Sequence, residues 1–151
     1  MAFTDLKPKV KTILANEAKS VDLRLKEVCE LLKDSLEPYD WIGFYFANAA
    51  TETLHLKAFA GEPTDHTVIP FGKGICGQVA VSNQNFVVPD VKAQDNYIAC
   101  SLNVRSEIVV PLYKNGENIG QIDIDSHLAD PFTSQDEEFL EWVNKEVANV
   151  I

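Results

Sequence analysis

Basic residues are the scarcer charged type in this chain. It has 13 lysines and arginines against 23 aspartates and glutamates, which gives a formal net charge of −10. Nucleic acids and anionic membranes are bound through basic patches, so this balance argues against both as partners. The acidity does not by itself identify a basic ligand, because acidic surfaces also keep proteins soluble.

Long apolar runs are also missing. No stretch approaches the roughly 18 consecutive apolar residues of a membrane-spanning helix. The first residues, Met1-Ala2-Phe3-Thr4-Asp5, lack the basic and then apolar regions of a secretory signal. We therefore expect a cytoplasmic protein, in which thiols stay reduced. Hydrophobic residues make up 46% of the 151 residues, which is enough for a single globular domain over 1–151.

Cysteine is rare, and its three positions do not form pairs. Cys29, Cys76 and Cys100 are odd in number and lack the paired spacing of zinc ligands, which argues against a structural disulfide framework or a zinc site. Cys29 recurs at helical spacing with Leu25 and Leu32, so we predict a small buried hydrophobic residue. Cys76 and Cys100 lie outside the apolar periodic runs, which leaves a transient catalytic disulfide open.

The hydrophobic period changes along the chain from helical to alternating and back. It predicts helices over 5–17, 21–37, 75–82 and 134–150, and strands over 41–46, 53–60, 67–70, 86–88, 107–113 and 119–125. Asn115-Gly116 is the turn of the clearest hairpin, and a long loop over 90–104 carries Cys100. Helices at both ends of a run of hairpins predict an α+β domain with helices packed on an antiparallel sheet.

Alternation within the strands predicts what each face of the sheet contacts. In 41–46 the even positions are apolar, whereas the odd ones are Trp41, Gly43 and Tyr45. A glycine between two aromatic residues leaves a hollow that a ligand or another backbone can approach. In 119–125 the isoleucines alternate with Asp123 and Asp125. We expect one face to meet the terminal helices and the other to line a covered polar pocket.

Five residues in a 50-residue stretch indicate chemistry. Cys76 and Cys100 lie in loop-like settings, and Glu107, Asp123 and Asp125 follow on strand-like runs. Two thiols can make and break a disulfide, and three carboxylates can hold a cation and move protons. Together they suggest a thiol redox enzyme that acts on a small, positively charged molecule.

The two aspartates also have simpler explanations. Alternating acids are the usual solvent-facing residues of a half-exposed antiparallel strand. A second alternative is a metal-dependent hydrolase in which Asp123, Asp125 and His127 bind the metal. We expect no metal, because no further ligand cluster lies near these residues in the sequence.

The segment Gly72-Lys73-Gly74-Ile75-Cys76-Gly77 matches the dinucleotide fingerprint but is flanked by hairpins, not by a parallel βαβ unit. We therefore expect no dinucleotide and no other cofactor. The segment is better explained as a turn that leads into a helix, whose first N–H groups take an anion such as a carboxylate. The same position predicts a lowered pKa for the Cys76 thiol. A plain strand-to-helix turn is the structural alternative.

Six short segments carry a family resemblance through their order and spacing. They are Trp41-Ile42-Gly43-Phe44-Tyr45, Gly72-x-Gly74-x-Cys76-Gly77, Pro89-Asp90-Val91, Ile98-Ala99-Cys100, Ser106-Glu107-Ile108-Val109-Val110-Pro111-Leu112 and Gly120-x-Ile122-Asp123-Ile124-Asp125-Ser126. In this combination, from about residue 38 to 142, the chain resembles the free methionine-(R)-sulfoxide reductases, which are single GAF-domain enzymes.

The resemblance implies a six-stranded antiparallel sheet with a pocket on one face, and a homodimer. It implies that Cys100 is the nucleophile that becomes a sulfenic acid and that Cys76 is the resolving cysteine. A thioredoxin-type donor would then reduce the Cys76–Cys100 disulfide. The substrate would be free L-methionine (R)-sulfoxide. The residues implied or expected to bind it are Glu107, Asp123, Asp125, Trp41, Tyr45 and Ile75.

The chain departs from the family at two positions. Phe86 and His66 occupy places where members often have cysteine. The thiol relay would then run between Cys76 and Cys100 alone, which is chemically sufficient. The alternative from another class is a GAF module that binds a small ligand, or acts as a sensor, without turnover. The absence of an effector domain or linker in 151 residues argues against the sensor.

Overall fold

The structure is a computed structural model that describes residues 2–93 and 103–151. Within these ranges it has four α-helices and one sheet of six strands. The helices are α1 (Ala2–Leu14), α2 (Val21–Ser35), α3 (Gly74–Ser82) and α4 (Ser134–Ala148). The strands are β1 (Trp41–Asn48), β2 (Thr53–Ala60), β3 (Val68–Pro70), β4 (Phe86–Val88), β5 (Ser106–Lys114) and β6 (Glu117–Ser126). A short 3₁₀ helix, Val91–Ala93, follows β4.

The sheet has the order β3-β2-β1-β6-β5-β4, and every neighbouring pair is antiparallel. The predicted α+β class and the six-stranded antiparallel sheet are therefore confirmed. Strands β1, β6 and β5 lie at the centre, so their side chains are covered on both faces. This position explains how a strand as polar as β6 is buried along most of its length.

The hairpin of β5 and β6 contains an extra residue near its turn. Asn115 and Gly116 have positive φ angles of 55° and 78°, as a two-residue hairpin turn requires. Tyr113 pairs with Asn118 and Leu112 pairs with Gly120, so the ladder skips Ile119. This arrangement is a β-bulge. Beyond it the pairing is regular as far as the ends of both strands.

The two faces of the sheet pack against different partners. Helices α2 and α4 cover one face, where Ile42, Ile122 and Ile124 are fully buried, and α1 packs against these two helices. The other face carries a second buried cluster that includes Trp41, Tyr45 and residues of α3. The separation of faces predicted from strand alternation is confirmed. It places the helix-covered core on one side of the central strands and the candidate site on the other.

The limits of several elements differ from the predicted ones. The first helix was predicted over 5–17, but α1 ends at Leu14, where the Arg24 guanidinium donates to the Leu14 carbonyl across 3.0 Å. Such side-chain donors satisfy helix-end carbonyls that have no partner within the helix.

Among the described residues, no helix has the length and apolarity needed to cross a membrane.

Candidate functional site

The three predicted carboxylates come together on the hairpin of β5 and β6. Glu107 pairs directly with Asp125, and the next pair along this face is Val109 with Asp123. Paired residues of antiparallel strands project from the same face, so the three acids share one side of the sheet. They are 3%, 1% and 1% exposed, which excludes the interpretation of Asp123 and Asp125 as a solvent-facing row.

Cys76 lies directly over these acids in the first turn of α3. Its Sγ is 3.2 Å from Asp123 Oδ2 and 3.9 Å from Glu107 Oε2. Two further contacts hold this turn in place. Gln121 Nε2 donates to the Cys76 carbonyl across 3.1 Å. A Cβ at Gly77 would lie 2.6 Å from the Pro70 carbonyl oxygen, so only glycine fits this close approach.

Protons are shared unequally between the two acids nearest Cys76. Burial, followed by the charges of Asp123 and Asp125, raises the pKa of Glu107 well above its usual value. Burial also raises the pKa of Asp123, but hydrogen bonds from Glu107 and Cys76 partly offset that rise. Two carboxyl groups so close in a buried site do not both ionise readily. Of the two, Glu107 therefore holds a proton more readily and Asp123 ionises more readily.

The lowered pKa predicted for Cys76 is wrong. Burial, and then the charges of Asp123 and Glu107, raise the pKa of this thiol well above its usual value. A helix N-terminus stabilises a nearby anion by only about 0.3–1 kcal/mol, or up to about 2 kcal/mol when partly buried. Desolvation together with two close carboxyl groups outweighs that contribution. In this structure Cys76 is a protonated hydrogen-bond donor to Asp123.

A small, partly open cavity adjoins the thiol and the acids. It is lined by Tyr45, His66, Ile69, Lys73, Gly74, Ile75, Cys76, Glu107 and Asp123. Its volume is about 10 Å³, close to the minimum that holds one water molecule. The predicted residues Tyr45 and Ile75 thus lie at the cavity. Tyr45 is fixed there because its hydroxyl donates to the His66 carbonyl across 2.8 Å.

Trp41 lies on the same side of the sheet but does not line this cavity. It pairs with Asp125 across β1 and β6, and its indole stacks on Phe59 with ring centroids 5.9 Å apart. A Cβ on Gly43 would be 2.4 Å from the Trp41 ring. The hollow predicted at Gly43 is therefore filled by the indole, not by a ligand or another backbone.

Other candidates from the sequence do not join the site. His127 is exposed, with its Nδ1 3.7 Å from Asp40 Oδ2, so the alternative metal set with Asp123 and Asp125 does not form. Cys29 is fully buried in the helix-covered core, as predicted. The dinucleotide interpretation fails because α3 follows β3, which is an antiparallel edge strand of the described sheet. Cys100, the predicted nucleophile, lies outside the described residues.

Three residues at the site were not predicted to bind substrate. Lys73 and His66 line the cavity, and Gln121 holds the Cys76 carbonyl. Gln121 alternates with the two aspartates along β6, and Lys73 precedes the helix in the glycine-rich motif, so both carried a sequence signal. His66 lines the cavity, and its carbonyl accepts a hydrogen bond from Tyr45; the sequence pointed to this position only through the family resemblance, since members often have cysteine there.

The fold agrees with comparison to known proteins. The GAF domain family model matches residues 20–151. The chain therefore belongs to the GAF-domain family. "GAF domain-containing protein A" of Dictyostelium discoideum is 35% identical over 147 residues, which are 97% of this chain and 90% of that protein.

Two further relatives define the group within that family. The free methionine-R-sulfoxide reductase of Escherichia coli is 34% identical over 149 residues, 99% of this chain and 88% of that protein. The Saccharomyces cerevisiae protein of the same name is 43% identical over 108 residues, 70% of this chain and 59% of that protein. The chain belongs to the free methionine-R-sulfoxide reductases, a family of oxidoreductases.

Solved structures support the same assignment. The Neisseria meningitidis free methionine-R-sulfoxide reductase in complex with its substrate has a TM-score of 0.90 and 34% identity, and the match covers 97% of this chain and 86% of that one. A putative GAF sensor protein from Burkholderia vietnamiensis, 31% identical, has a TM-score of 0.89 over 99% of this chain and 92% of that one. Overall shape alone therefore does not separate a reductase from a sensor.

Proposed function

We propose that this chain reduces free L-methionine (R)-sulfoxide to methionine with electrons from thiols. The observation that carries the proposal is the buried group of Glu107, Asp123 and Asp125, of which Glu107 and Asp123 are in hydrogen-bond contact with the Cys76 thiol. Buried carboxyl groups are costly unless they serve a cationic partner. The ammonium group of a free amino acid is such a partner. Reduction of the sulfoxide is the activity for which the free methionine-R-sulfoxide reductases, the family of this chain, are named.

Asp123 and Asp125 bind the substrate ammonium through charge-assisted hydrogen bonds. The start of α3, together with the Lys73 side chain at the cavity, receives the substrate carboxylate. This arrangement requires the cavity to open, because a volume of about 10 Å³ is far too small for an amino acid. The ammonium takes the position beside Asp123 that the Cys76 thiol occupies in the structure.

The reaction is an oxygen transfer followed by a condensation. The Cys100 thiolate attacks the sulfoxide sulfur, and Glu107, which holds a proton, donates it to the sulfoxide oxygen. The hydroxyl then shifts from the substrate sulfur to the Cys100 sulfur as the transient sulfur–sulfur bond breaks, so methionine leaves and Cys100 becomes a sulfenic acid. The Cys76 thiol then attacks the sulfenic sulfur, which forms the Cys76–Cys100 disulfide and releases water. A thioredoxin-type donor reduces this disulfide and restores both thiols.

Cys76 suits the resolving role better than the attacking one. Its raised pKa keeps it protonated while substrate binds, so it does not compete as a nucleophile. Displacement from Asp123 by the ammonium removes its hydrogen-bond acceptor and frees the thiol to move. The homodimer and the thioredoxin-type donor stay predictions of the resemblance, and the single domain over 1–151 and the cytoplasmic location stay predictions from composition and the first residues.

The test is turnover of free methionine sulfoxide with dithiothreitol, followed by separation of the two sulfoxide epimers. We expect loss of the (R) epimer only. Cys100→Ser should abolish turnover, whereas the matched variant Cys29→Ser, altered in the distant core, should keep it. Cys76→Ser should reduce one substrate per site, stall, and carry a dimedone adduct on Cys100. An adduct on Cys76 in the Cys100→Ser variant would reverse the two roles.

Substrate selectivity separates this reductase from a non-catalytic GAF module and from a reductase of peptide-bound residues. An N-acetylated substrate has no ammonium, so it leaves buried carboxylates unpaired at about 1–3 kcal/mol each. Two such losses correspond to roughly 100-fold discrimination at 1.4 kcal/mol per factor of ten. Equal kcat/KM for free and N-acetyl substrate would refute the ammonium site. Binding of the free amino acid without any turnover would favour the sensor.

A further inference from the structure

The cluster formed by Cys76, Glu107 and Asp123 has the composition of a metal site. One ligand atom from each of the three residues, a thiol sulfur and two carboxyl oxygens, lies within 4.8 Å of the other two. All three residues are buried. The set combines one soft donor with two hard donors, a combination that borderline-soft cations such as Zn²⁺ accept and that Mg²⁺ and Ca²⁺ do not favour.

The distances in the cluster suit tetrahedral coordination. With zinc bonds of about 2.3 Å to sulfur and about 2.0 Å to oxygen, a tetrahedral angle separates the two donors by about 3.5 Å. Cys76 Sγ is 3.2 Å from Asp123 Oδ2 and 3.9 Å from Glu107 Oε2, so the two distances bracket that value. Shifts of a few tenths of an ångström would bring both sulfur–oxygen distances to that value, and the Glu107 and Asp123 oxygens, within 4.8 Å of each other, would close on the cation between them.

A second observation is that two carboxyl oxygens of the cluster lack hydrogen-bond partners. Within the described ranges, Glu107 Oε1 and Asp123 Oδ1 are buried and have no hydrogen-bond partner. Buried polar atoms are normally satisfied, and exceptions of this kind call for a bound water, an ion or a functional role. Here two such atoms belong to residues that are 3% and 1% exposed and that border one cavity.

We propose that the reduced protein binds one thiophilic divalent cation of the Zn²⁺ class through Cys76, Glu107 and Asp123. The cation takes the place assigned above to the substrate ammonium, and the protons of the thiol and of Glu107 pass to solvent. A fourth coordination position is left for water. Formation of a disulfide by Cys76 removes the sulfur ligand, so only the thiol form of the protein binds the metal.

The binding claim is tested without any activity measurement, by titration of the reduced protein with Co²⁺ as a spectroscopic probe. We expect a thiolate-to-cobalt charge-transfer band that saturates at one Co²⁺ per chain and is displaced by Zn²⁺. The matched variant Cys29→Ser should keep the band, and Cys76→Ser should lose it. Zn²⁺ affinity in Cys76→Ser should fall by more than the roughly 10–100-fold that loss of an outer-shell partner costs.

Glu107→Gln provides a second variant that removes a ligand charge and leaves the thiol in place. It should weaken Zn²⁺ binding while circular dichroism shows an unchanged fold. A band that persists in Cys76→Ser, or that disappears in Cys29→Ser, would overturn the site. Unchanged Zn²⁺ affinity in Glu107→Gln would do the same.

The consequence for catalysis rests on the proposed function. Zn²⁺ should inhibit sulfoxide reduction competitively, raising the apparent KM for the free amino acid and leaving kcat unchanged. If the protein binds cobalt as described but reduces no sulfoxide, the metal site stands and the proposed function fails. If the protein reduces the sulfoxide but gives no cobalt band, the proposed function stands and the metal site fails. Inhibition that excess substrate does not relieve would contradict a shared site.

Discussion

Replacement of Glu107 by glutamine should make the empty protein more stable, and increasingly so as pH rises. Glu107 is 3% exposed, and one of its oxygens lies within 4.8 Å of an Asp123 oxygen. Two unit charges at that distance repel by about 3.5 kcal/mol at an effective dielectric constant of 20. The wild-type protein avoids most of this repulsion by keeping Glu107 protonated. Folding must then take up a proton that the unfolded chain has released, and this uptake lowers the free energy of unfolding.

The sign of the pH effect follows from that proton. The pKa of Glu107 is raised in the folded state, so its contribution to stability is present below the unfolded value of about 4.5 and is lost as pH rises through the folded value. Glutamine does not titrate. The stability gain of Glu107→Gln should therefore grow between pH 5 and pH 8 toward about 3.5 kcal/mol, or roughly 7–14 °C in Tm for a domain of this size.

The assay is urea and thermal unfolding of the reduced protein without substrate, at both pH values. Glu117→Gln is the matched control, because Glu117 is exposed at the start of β6 and its substitution is chemically identical. That variant should differ from wild type by less than about 0.5 kcal/mol at either pH. A gain for Glu107→Gln that is equal at pH 5 and pH 8, or a loss at pH 8, would refute the assigned proton.

Three further perturbations test other contacts. Iodoacetamide should alkylate Cys76 several-fold faster in Asp123→Asn than in wild type, because the Asp123 carboxylate adds to burial in raising the pKa of the thiol. Peptide mass spectrometry follows the alkylation, and an unchanged rate would contradict this cause. Gly120→Ala should destabilise the domain by at least about 3 kcal/mol in urea, since a Cβ would lie 2.3 Å from the Tyr45 carbonyl oxygen. Gly116→Ala, in open space but at positive φ, should cost only about 1 kcal/mol, and equal costs would argue against the clash. Asp136→Ala should cost about 2–3 kcal/mol, because Asp136 both completes the α4 capping box and accepts the buried Tyr39 hydroxyl; a loss below about 0.5 kcal/mol would refute it.

Strand alternation was enough to predict which residues share the pocket face. Asp123 and Asp125 alternate with isoleucines, and period-two alternation leaves only two possible faces. The sequence could not show that Glu107 opposes Asp125, because that contact depends on register across the hairpin. The family resemblance grouped the three acids before their geometry was known.

The raised pKa of Cys76 could not be predicted from the sequence, for a related reason. A helix start is a local signal, whereas the acids that raise the pKa of this thiol are 31 and 47 residues away along the chain. The position of Trp41 over Gly43 is likewise a matter of packing. A glycine in a strand indicates that something approaches closely, but it does not say whether that is a ligand or a neighbouring ring.

The bulge at Ile119 decides which face of the sheet the acids occupy. If pairing continued from the Asn115-Gly116 turn without the extra residue, the ladder beyond it would shift by one. Ile122 and Ile124 would then face the cavity, and both aspartates would be pressed into the core beneath the helices. Single-residue deletions in β6 should therefore have opposite outcomes. Loss of Ile119 would straighten the strand and leave the acids in place, whereas loss of Ile122 would exchange the two faces and destroy site and core together.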